Sequence, residues 1–258
     1  MNTEIDPDDF DAVVFDLDGV LASTARIHAL VWKQVFDRVL SRHRSSGVKV
    51  DRDFDIETDY LRYVDGRPRL DGIRTFLTSR RLTLPEGDVN AAETLDTVAG
   101  IGRMKNRLVR DLLKRHGKAE PGAKELLQSL RAADVKVAVA SSSVNCATVL
   151  EATGLTGLVG IRVDGVDARQ LGLPGKPDPA LFLEALRRLG IAADRAVLLE
   201  DADAGIEAGH RAGFKRIIGI GKDPERKRRL ADLGADVVVP DLSHITVAGR
   251  SGSGHFGI

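Results

Sequence analysis

The stretch AVVFDLDGVLAST, Ala12 to Thr24, sets an unbroken apolar run against two acids one residue apart, Asp16 and Asp18. Ala12 to Phe15 lack the polar alternation of a strand with one wet face, so they read as a strand covered on both sides, as in a parallel sheet. Gly19 ends it. Carboxylates crowded at the end of such a strand repel one another and lose solvation, a cost that a cation or a shared chemical task offsets. In open α/β sheets the carboxyl ends of the strands are also where ligands bind.

Working outward, VKVAVASSS, LVGIRVDG, AVLLEDADAG and KRIIGIG repeat the pattern of a short apolar run followed by small or acidic residues, and ADVVVPDL supplies a late strand. PGAKELLQSLRAAD, PALFLEALRRLG and AGIEAGHRAG keep apolar or small residues at helical spacing between them. Strand alternating with helix predicts an α/β fold, a Rossmann-like doubly wound parallel sheet with right-handed crossovers. Residues 25–118 break the alternation. HALVWKQVFDRVL, LDGIRTFLTSRR and RMKNRLVRDLLKRHG are helical in period, joined in part by the polar RHRSSGVKVDRDFD, and no buried strand lies among them. The expected organisation is a core of 1–24 and 119–258 with an inserted all-helical cap of 25–118, entered just after the acid pair and suited to act as a lid. GRSGSGHFGI, residues 249–258, reads as a flexible tail.

Composition narrows the function. The 258 residues, 43% hydrophobic, suffice for one sizeable core and a second unit. Lys plus Arg equals Asp plus Glu at 38 each, so charge argues for neither nucleic acid nor a membrane surface, and a small-molecule partner is expected. Cys146 is the only cysteine, which excludes an internal disulfide framework. With no signal-like N-terminus or long apolar segment, a cytoplasmic address is expected, and the chain is expected to be a monomer.

Four features fall at predicted strand ends or before a helix: Asp16 with Asp18, the serines Ser141, Ser142 and Ser143, Lys176 in GKPDP, and Glu200 with Asp201. Singly each has an ordinary reading, since an acid after a strand can be a helix cap, a serine run a turn and a Lys-Pro an exposed loop. Their order is more informative. A strand ending Asp-x-Asp-Gly, a strand ending in Ser, a Lys before a helix and a strand ending in acids together resemble the haloacid dehalogenase superfamily over essentially the whole chain. The resemblance implies phosphoryl transfer through an aspartyl phosphate. Asp16 would be the nucleophile and Asp18 the general acid and base. Mg2+ would be held by Asp16, Glu200, Asp201 and the Asp18 main-chain carbonyl. Ser141, placed where a strand passes into a helix, and Lys176 would hold the phosphate oxygens.

A purely helical insertion after the first motif resembles the branch of β-phosphoglucomutases and small sugar phosphatases. DLDGVLASTARIHALVWK is similar to the mutase opening motif, with Thr24 and His28 at i, i+4 helping to bring the acid/base residue into place. VDGRPRLDG resembles the mutase lid segment, Gly66 followed three residues later by Arg69, which would hold the substrate's second phosphate. SSSVN would bring Ser143 and Asn145 to that phosphate, with Ser142 beside them. Trp32 reads first as lid core and second as a candidate sugar-stacking platform, and His28 can equally pack on the helix beside it. Cys146 stands near a helix start that would lower its pKa, or is a small buried thiol. Asp65 and Val144 depart from the mutase pattern, each standing where a lysine is usual. The substrate expected is a small phosphorylated sugar. β-Phosphoglucomutase ranks first, hexose-phosphate phosphatase second and an inactive regulatory module a distant third.

Overall fold

The computed structural model describes residues 3–50, 52–64, 69–88, 90 and 92–250. Two short strands, β1 (Thr3–Ile5) and β2 (Ala12–Phe15), precede four helices, α1 (Ala25–Ser45), α2 (Asp59–Tyr63), α3 (Arg69–Ser79) and α4 (Val98–His116). There come next α5 (Ala123–Ala132), β3 (Lys136–Ala140), α6 (Cys146–Ala152), β4 (Ile161–Val163), α7 (Gly165–Leu171), α8 (Ala180–Leu189), β5 (Ala196–Glu200), α9 (Asp203–Ala212), β6 (Arg216–Ile220), α10 (Pro224–Asp232), β7 (Val237–Val239) and β8 (Ile245–Val247). The chain forms two compact units, Met1–Thr24 with His116–Ile258, and Ala25–Arg115.

In the first unit six strands run parallel in the order β4-β3-β2-β5-β6-β7. β2 is central, and all four of its residues are buried, as its unbroken apolar run requires. Ala12 and Val14 pack into a cluster with Leu181, Phe182, Ala185 and Leu186 of α8. Val13 and Phe15, pointing the other way along the pleat, are equally buried. Register sets where the acids emerge: Phe15 pairs with Val139 of β3 on one side and Leu199 of β5 on the other. Asp16 therefore leaves the sheet level with Glu200 and beside the serine turn after β3.

The second unit is helical, built on α1 to α4 around an aromatic core. Trp32 stacks on Phe36 at 4.9 Å between centroids, and Phe36 lies 4.0 Å from Phe76. The buried Asp59 is satisfied there by Arg52 at 2.8 Å and by Arg80, which lies over the Phe76 ring.

Two expectations need correction. Residues 42–45 of the expected connection are the last turn of α1, where Arg42, His43 and Arg44 suit the negative end of the helix. β1 and β8 form a separate two-stranded parallel sheet that the pattern does not foresee, pairing Thr3 with Ile245 and Ile5 with Val247. Of the expected tail, residues 251–258 lie outside the described residues.

Candidate active site

The backbone of the turn after β2 is held by main-chain bonds. Asp16 N–H donates to the Leu199 carbonyl at 2.9 Å, continuing the sheet by one residue. Leu21 and Ala22 N–H both donate to the Leu17 carbonyl, and Gly19 N–H to the Ala22 carbonyl. Gly19 has φ +86, and a Cβ there would lie 2.0 Å from Asp201 Oδ2, so only glycine lets the two acidic turns approach. The buried Thr24 hydroxyl donates to Asp18 Oδ1, fixing the second carboxylate relative to the first. Just before Thr24 the outgoing and returning chains run side by side: Ser23 N–H donates to the Lys118 carbonyl and Glu120 N–H to the Leu21 carbonyl.

Two acids converge on one ammonium. Lys176 Nζ lies 2.6 Å from Asp16 Oδ1 and 2.7 Å from Glu200 Oε2, over the Phe182 ring. Burial opposes the charge on Lys176, but Asp16 and Glu200 outweigh it and hold its pKa above the ordinary value. Glu200 Oε1 accepts the N–H groups of Asp201 and Ala202, each at 3.0 Å. Burial, with Asp16 nearby, raises the Glu200 pKa against the pull of Lys176. The Asp201 carboxyl is raised well above its ordinary value by burial and by the charges of Glu200 and Asp16.

Asp16, Glu200 and Asp201 each offer a carboxylate oxygen, all within 4.8 Å of one another. Crowded hard oxygens with one lysine among them fit a divalent cation of the Mg2+ kind, whose charge would offset the repulsion that raises Asp201.

The serine turn is tighter than expected. Ser141 is 1% exposed, and its Oγ accepts Ser143 N–H at 3.1 Å, leaving its own hydroxyl hydrogen to donate. Ser143 Oγ accepts Asn145 N–H at 3.2 Å. Strand does not pass directly into helix after Ser141: α6 begins only at Cys146, after the turn 141–145. Ser142 is exposed, Ser143 half-buried and Asn145 buried. Cys146 is buried, and desolvation and then the charge of Asp164 raise its thiol pKa, so the helix start does not activate it.

In the helical unit α1, α3 and α4 assemble a second cluster. His28 Nδ1 lies 3.3 Å from Nζ of Lys105, itself 6% exposed and 5.0 Å from the centre of the Trp32 ring. Arg69 Nη2 donates to Asn106 Oδ1 at 3.2 Å. Burial first, then the charges of Lys105 and Arg69, pushes the His28 pKa down to about 3, so the imidazole is neutral at physiological pH. Its buried Nε2 finds no hydrogen-bond partner among the described residues. Trp32 is 3% exposed, with Phe36 on its ring, which corrects its assignment as a sugar platform: it is core of this unit. Gly66 and Asp65 lie outside the described residues. Lys105 and Asn106 escape the sequence reading because RMKNRLVRD looks like any solvated basic helix. Its one available signal is Lys105 at helical spacing from Ile101 and Val109, on the apolar face.

The chain matches the family model of haloacid dehalogenase-like hydrolases over residues 10–213. It is 40% identical over 243 residues to the β-phosphoglucomutase of Mycobacterium bovis, covering 93% of this chain and 92% of that one. It is 26% identical to the phosphorylated carbohydrates phosphatase of Thermotoga maritima, covering 89% and 94%. The crystal structure of CbbY from Rhodobacter sphaeroides in complex with phosphate superposes with a TM-score of 0.68 at 25% identity, over 91% of this chain and 95% of that one.

Proposed function

Because the chain belongs to the haloacid dehalogenase-like hydrolases, in their β-phosphoglucomutase-like branch, and is thus an enzyme of phosphoryl transfer, we propose that it interconverts β-glucose 1-phosphate and glucose 6-phosphate through the 1,6-bisphosphate. The observation that carries this reading is the likeness to the Mycobacterium bovis β-phosphoglucomutase over nearly the full length of both chains. The acid pair, its lysine and the Thr24 bond to Asp18 support the chemistry.

In this reading the phosphoryl group rides on Asp16. As it passes from Asp16 to the sugar's 6-oxygen, Asp18 takes the proton of that hydroxyl. The bisphosphate turns end for end, and the phosphoryl on the 1-oxygen passes to Asp16 while Asp18 returns a proton to the departing oxygen. Thr24 keeps Asp18 aimed, and His28 acts neutral, as an aid to closure. Lys176 pairs with Asp16 between transfers and, with Ser141, offsets charge on the transferring oxygens. Arg69 takes the distal phosphate, helped by Ser143 and Asn145. Asp16, Glu200, Asp201 and the Asp18 carbonyl would hold Mg2+, whose positive charge would let an anionic nucleophile meet an anionic phosphate.

The second reading is a sugar phosphatase, favoured by the Thermotoga relative and by Val144 beside Ser143, where a lysine would strengthen a distal phosphate site. The two separate in one experiment. Protein is incubated with Mg2+, β-glucose 1-phosphate and a trace of the 1,6-bisphosphate, and glucose 6-phosphate is monitored against free phosphate. Isomerisation in large excess over phosphate release is the expected outcome; stoichiometric phosphate release assigns a phosphatase.

A further inference from the structure

The acidic turn is gripped from behind by α10. Asp223 caps that helix, its Oδ1 accepting Arg226 N–H at 2.8 Å, so Arg226 starts from a fixed main chain. Its guanidinium reaches back to donate through Nη2 to the Asp201 main-chain carbonyl and through Nη1 to Asp203 Oδ1 at 3.0 Å. Arg229 Nε donates to the other oxygen, Asp203 Oδ2, at 2.5 Å. The main chain of Asp201 is therefore held on both sides, its N–H by Glu200 Oε1 and its carbonyl by Arg226. An ion pair that only tied α10 to α9 would end at Asp203. The bond to the Asp201 carbonyl adds control over the peptide from which the Asp201 side chain springs.

We propose that Arg226 is a positioning residue for the divalent-cation site, fixing the direction of the Asp201 carboxylate, with Asp203 and Arg229 fixing Arg226 in turn. Groups behind a ligand act on affinity by restricting the orientations it samples, and their loss typically costs tenfold or more. The inference rests on the reading of Asp16, Glu200 and Asp201 as Mg2+ ligands.

The test uses the full chain and reads Mg2+ binding by calorimetry without substrate, beside the Mg2+ dependence of turnover and the melting temperature of metal-free protein. Arg226→Ala is expected to weaken Mg2+ binding about tenfold and shift half-activation equally, with kcat at saturating Mg2+ near the parent's. Arg226→Lys, which offers one ammonium in place of a two-armed fork, should recover part of the affinity. A metal-free melting temperature that drops while Mg2+ affinity stays within twofold of the parent marks a structural ion pair only and overturns the inference. Should Arg226→Ala fail to fold, Asp203→Asn loosens the guanidinium while keeping its second acceptor; unchanged Mg2+ affinity there also overturns it. If the parent itself binds no Mg2+, the metal reading falls and takes this inference with it, whereas a parent that binds Mg2+ no better than Arg226→Ala sinks the inference alone.

Discussion

Two lysines largely withdrawn from water, one in each unit, live in different company. Lys176 in the core is held between two carboxylates, at 2.6 and 2.7 Å, and its charge is secured by them. Lys105 in the helical unit lies over the Trp32 ring and against His28, where cation–π attraction offsets part of the lost hydration and where its charge helps keep the imidazole neutral. The core thus carries a charge constellation balanced by acids on strand ends, set by sheet register. The helical unit carries one assembled by side chains from three helices, set by packing. Substitutions in the first should remove chemistry outright, and those in the second should modulate it.

The largest effect is expected at Asp16. Asp16→Asn keeps the shape and loses the nucleophile, so isomerisation should fall by at least about 1,000-fold with the melting temperature little changed. The same protein should trap no aspartyl phosphate or metal-fluoride analogue. Activity within tenfold of the parent would show that another group attacks, and the division of labour between the units would collapse.

Next is the core lysine. Lys176→Met leaves Asp16 and Glu200 facing each other without a cation, and loss of a buried partner costs about 3–5 kcal/mol in urea unfolding at pH 7. Because burial and Asp16 already raise the Glu200 pKa, it takes up a proton readily, so the deficit should shrink as pH falls below neutral. A deficit that is small and independent of pH would mean that the acids do not need the lysine.

The same contrast separates what could be read from sequence from what could not. Asp16, Asp18, Glu200 and Asp201 were legible because each stands just past an apolar run, and parallel strands deliver such residues to one edge whatever the details of packing. Lys176 was legible only through its place in the motif order, since its two partners lie 160 and 24 residues away. Lys105 meets His28 across 77 residues and Asn106 meets Arg69 across 37, through helix packing that no local pattern encodes. Trp32 was legible as core ahead of a sugar platform, since an apolar aromatic at helical spacing more often packs than binds. Phe36, one helical turn on, is the partner that makes it core. β1 and β8 are three residues each at opposite ends of the chain, too short to announce a sheet.

A smaller effect is expected at Arg69. If it clamps the distal phosphate of the bisphosphate, Arg69→Ala should raise the barrier to isomerisation by about 1.5–3 kcal/mol, the scale of a hydrogen bond to a charged group. Hydrolysis of a small acyl phosphate, with no second phosphate to clamp, should hardly change. Equal losses in both assays would remove the distal site and, with it, the case for a mutase over a phosphatase.

The smallest and most particular effect concerns His28. Its pKa is depressed from 6.5 to about 3 by burial and then by Lys105 and Arg69, so between those values the unfolded chain binds the proton that the folded chain refuses. Stability from this group is therefore full above about pH 6.5 and is lost as pH falls towards 3. Between pH 7 and pH 6 the loss from this group amounts to about 0.7 kcal/mol. His28→Gln replaces the imidazole by a side chain that does not ionise, so it should unfold with a flatter pH dependence than the parent across that interval, other histidines cancelling in the comparison. Parallel curves for the two proteins would mean that the imidazole accepts its proton in the folded state after all, and that Lys105 and Arg69 do not bear on it as the geometry of the helical unit implies. Flatter behaviour together with a slower isomerase and an unchanged rate on a small acyl phosphate would tie the neutral imidazole to closure on the sugar rather than to the transfer itself.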